Sequence, residues 1–140
     1  MRLGGILWVW LSMAVYAAGL WRFARDVLPG PWPRRRLAAF LALGALGALR
    51  GLWNAQSNAL VVGLLLLGAA ALVRRHYWRA AAWLAGAVAV KVTPLAPVLL
   101  LCALWPRRLT GRLALALAVA GLFPFPVSYT HLTLPTILRV

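Results

Sequence analysis

Lys91 is the only lysine in the chain, and it stands inside residues 80–105, a run of 26 that carries no other charge. A cation so placed has two uses. It can hold an anion such as a phosphate in a low dielectric, where an ion pair is strong. Or its apolar stem can lie along a tilted helix and carry the charge out to the nearest water. The sole acid is Asp26, so a partner for Lys91 is expected from backbone carbonyls, a ligand phosphate or sequence beyond this chain. Asn54, Gln56 and Asn58 bring three amides within five residues. Amides offer both donors and acceptors, which suits sugar hydroxyls; they serve equally well between helices or as a cap of the next one. Both uses stay open at this point. Asp26 sits beside Arg25 and ahead of the Pro29-Gly30 turn, where an exposed local ion pair is expected rather than a catalytic base. His76, among arginines, reads as a solvated side chain, and Cys102 as a small apolar filler. One cysteine excludes an internal disulfide and a thiolate-clustered metal site. One Asp without any Glu excludes two-carboxylate chemistry. No catalytic residue, metal ligand set or cofactor motif is identifiable.

The elements that position these residues follow from composition. Apolar residues make up 64% of the 140, mean hydropathy is +0.87, and only 11% are charged. A water-soluble domain needs about 25% charged residues, so the expected class is an all-α, polytopic transmembrane helical bundle. The net charge of +14 raises a nucleic-acid partner, but the arginines flank long apolar runs instead of sharing one face of a polar domain. That is the positive-inside pattern of membrane topology, and no nucleic-acid partner is expected. The partner is the bilayer. Spans are expected at residues 3–21, 37–53, 59–73, 80–105 and 113–126. Lys91, Thr93, Pro94 and Pro97 interrupt the fourth. A proline removes a backbone donor and disfavours helical angles before it, so residues 80–105 are expected as two half-helices, 80–90 and 95–105. Arginine placement favours the same reading. A single crossing divides the loop arginines eight against four between the two sides, whereas a re-entrant pair divides them eleven against one. Arg50 and residues 54–58 then lie outside, and Arg34, Arg35 and Arg36 inside.

Residues 127–136 read VSYTHLTLPT and break the Leu/Ala pattern that precedes them. The decapeptide resembles one reading frame of a transposon-end adapter used in preparing sequencing libraries. Residues 127–140 are therefore expected to be non-native, leaving residues 1–126 as part of a transmembrane domain.

Residues 50–125 resemble glycosyltransferase family 87 of the GT-C superfamily. The family opens on an Asn-Gly-Gln-x-Asn-Ala-Leu-like pattern, matched by Asn54, Gln56, Asn58, Ala59 and Leu60, with Ala55 where Gly is usual. Lys-x-x-Pro follows at Lys91 and Pro94, then Pro106-Arg107-Arg108 and Phe123-Pro124-Phe125. The resemblance implies a multi-pass enzyme of a bacterial plasma membrane that transfers a sugar, commonly mannose, to an envelope glycan or glycolipid. The donor would be a polyprenyl-phosphate carrier, and the parent protein a hexosyltransferase. It implies substrate-binding roles for Lys91, Asn54, Gln56 and Asn58. The family's base is an acid in the first outer loop, which nothing here matches, so this chain alone is expected to be inactive. The competing class is a non-enzymatic membrane protein, part of a transporter or flippase, in which broken helices also carry midplane charges.

Overall fold

The computed structural model describes residues 3–30, 33–53 and 57–122. Six α-helices and no strand make up these residues: α1 (Leu3–Asp26), α2 (Arg34–Trp53), α3 (Asn58–Val73), α4 (Tyr77–Val90), α5 (Leu95–Leu104) and α6 (Pro106–Leu122). The all-α expectation holds for them. α1, at 24 residues, is the one helix here that is both long and apolar enough to cross a membrane. α3 and α5 are apolar but shorter, at 16 and 10 residues.

Helix ends differ from the expected spans because charge does not stop a helix. Arginine is a good helix former, so α1 runs on through Arg22 and Arg25, α2 starts at Arg34, and α6 starts seven residues before 113. Backbone chemistry sets the ends instead. Gly30, at φ 87°, turns the chain after α1. α3 ends in a Schellman motif: the His76 N–H donates to the Ala71 carbonyl at 2.8 Å and the Arg75 N–H to that of Leu72 at 2.9 Å. Arg75 takes the left-handed position at φ 61°, where glycine is usual.

Packing begins with α3, which is apolar all round and lies against α1 on one side and α4 on the other. The α1–α3 crossing is very close. A Cβ built on Gly63 would sit 2.8 Å from the backbone of Tyr16, and one on Gly19 would sit 2.6 Å from the Gly63 carbonyl oxygen. Small residues that admit such approach are how helices associate where lipid removes the hydrophobic drive. α2 leans on the outside, tied by the Tyr16 hydroxyl, which donates to the Gly44 carbonyl at 2.9 Å. A second core joins α4 to α5 and α6 through Ala81, Leu84, Val98, Cys102, Leu109 and Leu113. Cys102 fills this core, as its apolar neighbours lead one to expect.

Large apolar side chains cover the outside. Trp10, Leu43, Leu100 and Leu122 each expose more than 60% of their surface. A soluble monomer rarely exposes so many large apolar side chains.

Candidate functional site

The break between α4 and α5 is the local feature on which everything else depends. α4 stops at Val90 because Lys91 adopts extended backbone, φ −155° and ψ 137°, with its N–H still donating to the Ala87 carbonyl at 3.1 Å. β-branched Val92 and Thr93 follow, and Pro94 has no donor with which to continue the ladder. α5 begins at once, with Pro94 as its cap residue. Pro97 falls in the first turn, where its missing N–H has no intrahelical acceptor to lose. The half-helices expected at 80–90 and 95–105 are found with their break in place. Pro97 is accommodated and does not interrupt α5.

Lys91 projects from this break and is exposed, as are Val92 and Thr93. Its Nζ donates to the Asn58 side-chain oxygen at 3.0 Å. Asn58 opens α3, so an amide and an ammonium 33 residues apart meet where two antiparallel helices end together. In place of an acid, Lys91 finds an amide oxygen. One neutral acceptor leaves two of the three ammonium donors and the full charge available for an anion. Asn54 and Gln56 lie outside the described residues.

The opposite end is basic. α6 begins beside α4: the Arg108 Nη1 donates to the Tyr77 hydroxyl at 3.2 Å, and the Arg112 guanidinium lies over the rings of Tyr77 and Trp78 at about 5.5 Å. The chain therefore returns through α5 to the end from which α4 set out. Arg74, Arg75, Arg79, Arg107, Arg108 and Arg112 collect there together with Arg22 and Arg25 of α1. Lys91 is twelve residues beyond Arg79, about 18 Å along the helix.

Asp26 corrects an expectation. It is no exposed local pair with Arg25: its side chain is only 2% exposed, and the Arg74 Nη2 donates to Oδ1 at 2.6 Å across 48 residues of chain. The α1–α3 crossing brings Arg74 under the end of α1, and that longer-range contact wins over the neighbour in sequence. Asp26 is thus engaged, far from Lys91, and is no base for chemistry there. His76 is exposed in the linker before α4, as expected. Arg74 and Tyr77 escaped the sequence reading; an unmatched lone acid was the available signal for the first.

The model of glycosyltransferase family 87 matches residues 1–134. The chain belongs to glycosyltransferase family 87. No curated protein and no solved structure matches it. Family 87 membership makes this a membrane glycosyltransferase sequence with a sugar donor and an acceptor, and sets aside the transporter or flippase alternative. The match runs on over residues 127–134, so the exclusion of that segment rests on its sequence alone.

Proposed function

We propose that the parent enzyme is a multi-pass hexosyltransferase of a bacterial plasma membrane. It moves mannose from a polyprenyl-phosphate carrier to an envelope glycan or glycolipid, and Lys91 holds the carrier phosphate. The Lys91–Asn58 hydrogen bond at the helix break is the observation that carries this reading. It supports a fixed ammonium at the end of two helices, backed by apolar surface and removed from the basic end. In the transfer, an acceptor hydroxyl oxygen bonds to the anomeric carbon as the bond from that carbon to the phosphate oxygen breaks. Negative charge gathers on the departing phosphate, and a positioned ammonium stabilises that charge more than it does the ground state. The hydroxyl proton goes to a carboxylate that this chain does not supply, since its single acid is paired with Arg74. Asn58 keeps the Lys91 stem from wandering, and the amides of Asn54 and Gln56 suit sugar hydroxyls. In the membrane α4 and α5 form a re-entrant pair, with the Lys91 break in the half away from the cytoplasm.

The test is donor turnover by the restored full-length enzyme. Lys91→Met should lower kcat about 10²- to 10³-fold, the size of losing one donor to a developing oxyanion. Lys91→Arg should retain part of the activity, because the charge survives while its geometry changes. The chain as given should transfer no sugar. Wild-type turnover and unchanged donor affinity in Lys91→Met would reduce the lysine to a snorkelling side chain.

A further inference from the structure

At the basic end, α1, α3 and α4 line an open cavity of about 670 Å³. Its rim is made by Arg22, Asp26, Arg74, His76 and Arg79. Below the rim the walls are apolar, built mostly from alanines of all three helices, with Trp83 at the side. We propose that this cavity binds one anionic phospholipid, its phosphate between Arg22 and Arg79 and an acyl chain in the groove beneath.

Charge decides the headgroup. Arg74 is neutralised by Asp26 at 2.6 Å. Arg22 and Arg79 are both exposed, and neither guanidinium has a hydrogen bond or ion pair among the described residues. Two arginines without a counter-ion thus line one rim, and the planar guanidinium suits phosphate oxygens. Shape decides the rest. The lining descends from Arg22 to Ala14, eight residues or about 12 Å along α1. The alanines Ala18, Ala70, Ala71 and Ala82 leave that depth open where larger side chains would close it. Free phosphate has no use for such a groove, whereas a lipid fills rim and groove together. The site is twelve residues from Lys91 along α4, and it rests on the chain lying in a bilayer, not on the assignment of the carrier phosphate.

Brominated lipids quench tryptophan on contact, and Trp83 lines the groove. The full chain and its Trp83→Phe variant are placed in phosphatidylcholine vesicles doped with brominated phosphatidylglycerol or brominated phosphatidylcholine. The difference between the two chains isolates Trp83. Each arginine at a membrane surface favours an anionic lipid by about fivefold, so quenching of Trp83 should prefer phosphatidylglycerol by about 30-fold. Arg22→Gln with Arg79→Gln should abolish the preference, and Arg107→Gln, outside the cavity, should keep it. Equal quenching by the two lipids overturns the proposal on the unaltered chain, whatever the variants do. Loss of the preference in millimolar inorganic phosphate assigns the rim to free phosphate and also overturns it.

Discussion

Replacing Gly63 by alanine tests the crossing that holds α1 to α3. The added Cβ falls 2.8 Å from the Tyr16 N and Cα atoms and from the Val15 carbonyl carbon. These are backbone atoms inside a helix, so no side chain can swing away to relieve them. Reaching an ordinary contact of 3.4 Å requires the helices to part by about 0.6 Å. A gap of that size forfeits about a quarter to a half of the dispersion well at each contact along the seam. Overpacking of this kind costs about 1–3 kcal/mol, and Gly63→Ala is expected near 2 kcal/mol less stable. Gly19→Ala meets the Gly63 carbonyl oxygen at 2.6 Å, and the same parting of helices relieves both. The double variant should therefore cost less than the two singles together. Gly47→Ala on α2 and Gly111→Ala on α6 meet nothing within 4 Å; better helix propensity should make each neutral or up to about 1 kcal/mol more stable. The assay is reversible unfolding of the full chain in detergent micelles, read by helical circular dichroism across a denaturing-detergent titration. A Gly63→Ala chain as stable as Gly47→Ala would refute the close crossing.

Three further outcomes follow from contacts described above. Asp26→Asn removes the partner of Arg74 while keeping the shape of the side chain, and should destabilise the same unfolding transition by about 2 kcal/mol, less than for a fully buried pair because Arg74 is 41% exposed. Arg75→Gly relieves a left-handed residue at φ 61° and should raise stability by about 1 kcal/mol in the same unfolding assay. Arg35→Cys in the full-length protein should react with an impermeant thiol reagent only from the cytoplasmic face, Cys102 being buried and silent; labelling from outside would invert the topology.

The parts of this structure legible in the sequence are those fixed over a few residues. Val92, Thr93 and Pro94 end one helix and start another, so the break is legible to the residue. Lys91 and Asn58 were each singled out by type and neighbours. Their meeting was not, because it depends on α3 and α4 running antiparallel and ending together. α3 is apolar on every side, so no stripe in its sequence says which face meets α1 and which meets α4. The same blindness misplaced Asp26. Its neighbour Arg25 is visible in the sequence, whereas Arg74 comes near only through the glycine crossing of Gly19 and Gly63. Helix limits differ from the expected spans for another reason: a span is read from charge, and a helix ends where its backbone bonds end.

The Asp26–Arg74 pair also imposes an order in time. At synthesis rates of about 5–20 residues per second, the 48 residues between them take about 2–10 s to emerge. Through that interval α1 carries an acid whose partner does not yet exist, and α2 is made before α3 can dock. α2 is therefore produced as a loop between two helices that close upon each other later. The arrival of Arg74 closes the α1–α3 part of this end, which makes the turn after α3 the clasp of the first half of the chain.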